Sequence, residues 1–133
     1  MPPGAMVRVL CVDDTPDVVN TLVILFDLSG FDVRGCLCGP TALAMATEFR
    51  PHACVLDINM PVMDGCELAR RLRQLLGPDV RLIALSAAIA EALEERVRGA
   101  GFDLAFTKPP DIARLLATVA AAGQVEGNRN SVS

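Results

Sequence analysis

The chain has 133 residues, enough for one domain around a single core. Its residues are 52% hydrophobic but only 4% aromatic, which excludes a disordered chain and leaves Leu, Val and Ala to fill the interior. The formal net charge of −4 offers no basic excess to neutralise phosphates, so direct nucleic-acid binding is not expected.

Five short apolar runs alternate with five helix-like segments. The first run, VRVLCV (7–12), ends in Asp13 and Asp14. Thr15 is placed to cap the helix that follows, with Pro16 as its first residue. The second run is FDVRG (31–35). Pro40 opens the next helix and Pro51 ends it. The third run, ACVLD (53–57), ends in Asp57. DGCE (64–67) then has the pattern of a capping box, and GP (77–78) ends that helix. The fourth run, RLIALS (81–86), ends in Ser86. A polar segment (89–100) follows, stopped by GAG (99–101). The fifth run, LAFTK (104–108), ends in Lys108, and a last amphipathic helix is predicted over 111–122. The polar tail 123–133 reads as disordered, leaving 6–122 as the domain.

Three of the runs are nearly apolar throughout, as in strands covered on both faces, while the second and fifth are mixed, as at sheet edges. Regular β-α alternation predicts an α/β fold: a doubly wound parallel sheet with helices on both faces. Ligands of such sheets gather at the carboxyl ends of the strands. Asp13, Asp14, Asp57, Ser86 and Lys108 therefore converge on one rim. Three carboxylates there would repel one another unless a cation joins them. An all-oxygen donor set favours a hard cation, and the lack of a twelve-residue calcium loop favours Mg2+ beside a phosphoryl group. Lys108 offers a compact charge for phosphoryl oxygens and is the only Lys in a chain with 12 basic residues. Ser86 offers a hydroxyl, and an Asp can act as nucleophile and carry an aspartyl-phosphate.

Other features carry no chemistry. Five cysteines without metal-ligand or disulfide spacing fit a reducing compartment, with Cys11 and Cys54 expected in the core. Cys36 and Cys38 form a C-x-C with no second cluster to complete a zinc site. His52 is expected to face solvent, and ARRLR (69–73) to be a solvated helix face. No apolar run approaches the ~20 residues of a membrane helix, and MPPGAM (1–6) has no leader character. A cytoplasmic location away from membranes is expected.

VDD (12–14), LDINMPVMDG (56–65), LSA (85–87) and TKP (107–109) together resemble the receiver domain of two-component response regulators. The resemblance covers 6–122. It implies a flavodoxin-like (βα)5 fold with strand order 2-1-3-4-5. It also implies that Asp57 is the phosphoacceptor, with Asp13 and Asp14 as the acid pair. Mg2+ would be bound by Asp14, Asp57 and the backbone carbonyl of Asn59. Lys108 would pair with Asp57 and then with the phosphoryl group, Ser86 would swing toward that group, and the Lys108–Pro109 bond would be cis. The implied partners are a histidine kinase or histidine phosphotransfer protein upstream and a protein target downstream. No substrate-turnover enzyme is implied.

The sequence departs from the family at Ala105, where many receivers have a switching Tyr or Phe. Phe106 is adjacent but faces the other side of the strand. Thr15 replaces a common Asn. Asn59 and Ala88 stand where the family tunes dephosphorylation. AGFDLAFTKP (100–109) is more similar to receivers of hybrid histidine kinases, so a fragment of such a kinase is one alternative. A non-switching receiver-like interaction module is another. An aspartate-nucleophile phosphatase is disfavoured because its D-x-D pattern would follow the first strand, where this chain has adjacent acids. Flavin binding is disfavoured because those acids would repel the phosphate. The polar fourth helix argues against a strong constitutive dimer, leaving a monomer or a weak, phosphorylation-induced dimer.

Overall fold

A computed structural model describes residues 6–87 and 91–132, with side chains described for 6–87 and 93–123. Ala88 lies outside the described residues. So do the side chains of 124–133, where the sequence predicted a disordered tail and the backbone continues the last helix as far as Val132.

The elements run β1 (Arg8–Val12), α1 (Pro16–Leu28), β2 (Asp32–Cys36), α2 (Gly39–Phe49), β3 (Ala53–Asp57), α3 (Gly65–Leu76), β4 (Arg81–Ser86), α4 (Glu91–Gly99), β5 (Leu104–Thr107) and α5 (Ile112–Val132). All sheet pairings are parallel, in the order β2-β1-β3-β4-β5. This is the flavodoxin-like arrangement that the sequence implied.

The central strands β1, β3 and β4 are buried almost throughout, because helices cover both of their faces. Alternate residues feed two cores. Leu10, Val12, Cys54, Leu56, Leu82 and Ala84 pack with Leu68, Leu72 and Val97 on one face. Val9, Cys11, Val55, Ile83 and Leu85 pack with Phe26, Leu115 and Val119 on the other. The edge strands β2 and β5 are only partly buried. Among the described residues no helix is long and apolar enough to cross a membrane.

Two helix N-termini differ in detail from what the local sequence suggests. Asp64 caps α3, accepting a hydrogen bond from the Glu67 amide at 2.9 Å. Glu67 does not complete the capping box, because its carboxylate turns to Arg70 and Arg71 instead. Thr15 sits at the N-cap of α1, but its side chain makes no capping bond. Its backbone N–H instead donates to Asp13 Oδ1 at 2.9 Å.

Two sequence expectations are corrected. His52 does not simply face solvent: its Nδ1 accepts the Arg8 amide at 2.9 Å, tying the start of β3 to that of β1. ARRLR is not wholly a solvated face either. Arg70 and Arg71 are exposed, but Arg73 reaches back into the fold. Its guanidinium donates to Val80 O and Gly101 O, both at 2.6 Å, and pairs with Asp103 at 3.1 Å. Asp103 also accepts the Leu82 amide at 2.8 Å. Arg73 thus joins the end of α3 to β4 and to the α4–β5 turn. Arg73→Met is expected to cost about 2–3 kcal/mol, because it strips several carbonyls and a carboxylate of their donor. Urea unfolding checks this, and a loss under about 0.5 kcal/mol would contradict it.

Candidate functional site

β1, β3 and β4 end on the same side of the sheet, and β5 delivers Lys108 beside them. The adjacent acids separate at once. Asp13 is 1% exposed, whereas Asp14 is exposed at the rim. Asp57, the last residue of β3, is buried, as is Ser86 at the end of β4. One carboxylate oxygen each from Asp13, Asp14 and Asp57 lies within 4.8 Å of the others. Among the described residues this is the one cluster of potential ligands suited to a metal ion. Its donors are all carboxylate oxygens, one of them open to solvent, which fits a partly hydrated hard cation.

Lys108 Nζ donates to Asp13 Oδ2 at 2.9 Å and lies 3.4 Å from Asp57 Oδ1. Its backbone N–H donates to Ser86 O at 2.7 Å, which fixes β5 against β4 at the rim. The Lys108–Pro109 bond is cis. Asn59 has an exposed side chain, and its amide donates to Asp57 Oδ1 at 3.3 Å.

The electrostatics follow from these placements. Burial, and then the Asp13 charge, push the Asp57 carboxyl above its usual range, and Lys108 only partly opposes them. Burial would lower the Lys108 ammonium, but Asp13 and Asp57 outweigh it and hold it above its ordinary value. A carboxyl raised in the folded state is a cost at neutral pH, relieved as pH falls through its folded value. Asp57→Asn is therefore expected to raise the melting temperature at pH 7. The gain should shrink on acidification below that value. A melting temperature that falls at pH 7 would contradict this.

The loop after Asp57 is built by close contact. Gly65 N–H donates to Ile58 O at 2.9 Å. A Cβ on Gly65 would collide with the Asp57 carbonyl and lie 2.7 Å from Ile58 Cα. No side chain fits there. Met63 N–H donates to Pro61 O at 2.8 Å, closing a three-residue turn around Val62. Val62 has φ 71 and is 99% exposed. A β-branched residue in that region is strained and, here, gains nothing by packing. Val62→Gly is expected to stabilise by about 1 kcal/mol, read as a higher urea midpoint. An unchanged or lower midpoint would contradict the strain.

Ala105 is partly buried against the α3 side of the sheet, and Phe106 is buried on the α1/α5 side. Phe106 therefore does not take over the position of Ala105. Instead, a groove of about 340 Å3 lies over Ala105, between Val97, Phe102 and Arg114.

This fold, with acids, a hydroxyl and a lysine at the strand ends, defines a phosphorelay signalling module. The chain belongs to the response regulator receiver domain family, whose model matches residues 9–120. Receiver domains bind Mg2+ at an acidic pocket and interact with histidine kinases. The chain is 46% identical over 116 residues to the transcriptional regulatory protein PrrA of Mycobacterium tuberculosis, covering 86% of this chain and 48% of PrrA. It is 38% identical over 116 residues to the response regulator MprA of Mycobacterium leprae, covering 86% of this chain and 50% of MprA. The chain thus spans about half the length of these relatives. Among solved structures, chemotaxis protein CheY4 of Vibrio cholerae superposes with a TM-score of 0.83 at 27% identity, covering 89% of this chain and 99% of CheY4.

Sequence reasoning placed Asp13, Asp14, Asp57, Ser86 and Lys108 on one rim, and the structure brings them there. The resemblance also implied the turn from Pro61 to Gly65, but not the close backbone approach at Gly65 or the positive φ of Val62 within that turn. The signal for the first was present, since a Gly directly after the capping Asp64 marks a point where backbone meets backbone. Nothing local marked Val62.

Proposed function

We propose that Asp57 is the phosphoacceptor of this receiver domain, which spans about residues 6–122, and that a phosphohistidine on a histidine kinase or phosphotransfer protein is the donor. The observation that carries the reading is the buried Asp57 carboxylate set between two further carboxylates and the Lys108 ammonium. Asp14, Asp57 and the Asn59 carbonyl would hold Mg2+, with Asp13 completing the acid set. When bound, Mg2+ would supply positive charge against the phosphoryl oxygens and relieve the repulsion among the acids.

In the transfer, a carboxylate oxygen of Asp57 attacks phosphorus. An O–P bond forms, the N–P bond breaks, and its electron pair returns to the imidazole nitrogen. Lys108 is already charged and already oriented by Asp13, so it meets the developing phosphoryl charge without reorganising. Ser86 would donate its hydroxyl to a phosphoryl oxygen. An apolar trough of about 520 Å3, lined by Val18, Leu22, Leu25, Pro109 and Ile112, runs up to Lys108. A donor helix seated there would lie beside Asp57.

The alanine at position 105, where many receivers carry a switching aromatic, favours a second reading, in which the domain binds partners without switching. The two readings differ in whether the α4–β5 surface changes on phosphorylation. No substrate-turnover activity is proposed.

A Mg2+ titration tests the site. At about 100 times its dissociation constant, a ligand of the folded state adds about 2.7 kcal/mol. Mg2+ is expected to raise the melting temperature of the wild type and much less that of Asp14→Ala, with reversal by EDTA. Equal responses in the two proteins would contradict the assignment.

A further inference from the structure

Helix α4 is weakly held. It has nine residues, too few for independent stability, and of its described side chains Val97 is buried and Leu93 partly buried against the core. Among the described residues, the groove lined by Glu94, Val97, Arg98 and Ala105 lies on its β5 side. One ion pair among the described residues ties α4 to the rest of the fold: Arg96 Nη2 to Asp64 Oδ2 at 2.7 Å. Arg98, by contrast, pairs with Glu94 inside the helix.

Asp64 is an unusual partner for such a tether. Its other oxygen, Oδ1, caps α3 through the Glu67 amide. The next residue, Gly65, is hydrogen-bonded to Ile58 and packs on the backbone of Asp57. A short rigid path therefore runs from Asp57 through Gly65 and Asp64 to Arg96 and α4. Both carboxylate oxygens of Asp64 are engaged, so a shift of the loop must be felt at Arg96 or at the start of α3.

We propose that Arg96 is a positioning residue. Its ion pair with Asp64 couples the acceptor loop to α4, in a chain where Ala105 leaves no aromatic side chain to do so. This rests on the receiver reading for its signal but not for its geometry. An ion pair this exposed contributes modestly, so the coupling is expected to be about two- to fivefold rather than all-or-none.

The test is hydrogen exchange of α4 amides in wild type, Arg96→Gln, Arg96→Lys and Asp64→Asn. Each is measured with and without Mg2+ and acetyl phosphate, with phosphate content read by intact mass. Asp64→Asn keeps a capping oxygen but loses the charge, so it separates the tether from the cap. In Arg96→Gln and Asp64→Asn, α4 should exchange about two- to fivefold faster while α3 keeps its protection. The change in α4 exchange on phosphorylation should shrink in both, and Arg96→Lys should restore part of it. Wild-type exchange and wild-type response in Arg96→Gln and Asp64→Asn would overturn the proposal. If the wild type takes no phosphate, the receiver reading fails instead, and the unphosphorylated exchange rates alone decide the tether.

Discussion

Gly65→Ala is expected to cost about 3 kcal/mol or more and to abolish phosphate uptake at any temperature where the protein stays folded. The added Cβ would fall on the Asp57 carbonyl and 2.7 Å from Ile58 Cα. These are backbone atoms at the end of a fully buried central strand, so they have no free rotamer into which to retreat. The strain can be relieved only by moving α3 away or by twisting the acceptor loop. Either movement shifts Asp57 relative to Lys108 and Asp13. Urea unfolding reads the first effect and intact mass after acetyl phosphate treatment reads the second. A well-folded Gly65→Ala protein with wild-type uptake would mean that the close approach is not needed to position Asp57.

Lys108→Ala is expected to slow phosphate uptake by about 10²–10³-fold, the loss typical of removing one preorganised charge from a transition state. It should also destabilise the protein, because Asp13 and Asp57 then face each other without their shared cation. Breaking a fully buried ion pair costs about 3–5 kcal/mol, but the Lys108 side chain is 28% exposed and water screens it, so about 1–2 kcal/mol is expected here. The Asp57 carboxyl should move further up, since Lys108 is the charge that opposes burial and Asp13. Uptake in the variant should therefore require a higher pH than in the wild type. A rate within about threefold of wild type, less than 1 kcal/mol of transition-state stabilisation, would remove Lys108 from the chemistry.

Much of this site was legible because its information is local. A strand covered on both faces must be apolar, so its end is marked by the first polar residue: Asp13 after Val12, the closing Asp57 of β3, the closing Ser86 of β4. The parallel topology then places those ends together. The roles of Arg73, His52 and Arg96 were not legible for the opposite reason. Arg73 looked like a surface arginine in a basic run, and only the fold brings the Val80 and Gly101 carbonyls within its reach. His52 meets the Arg8 amide across 44 positions, and Arg96 meets Asp64 across 32. A periodicity argument cannot see such pairs. Capping was legible in position but not in detail. Thr15 does start α1, yet Asp13 rather than the Thr15 hydroxyl organises that turn.

Ala105 shows where function and fold part. The position is a β5 residue whose side chain faces α4, and the fold forms with alanine there. What changes is the packing of α4, whose described anchors are Val97, the partly buried Leu93 and the Arg96–Asp64 pair. On the proposed reading, this receiver keeps its phosphoryl chemistry and relays it through the Arg96–Asp64 contact.

The most direct measurement is the intact mass of wild type and Asp57→Asn after incubation with acetyl phosphate, with and without Mg2+. The account predicts one phosphate adduct on the wild type, dependent on Mg2+, labile at high pH and absent from Asp57→Asn. A well-folded wild type with no adduct, or an adduct that persists in Asp57→Asn, would contradict it.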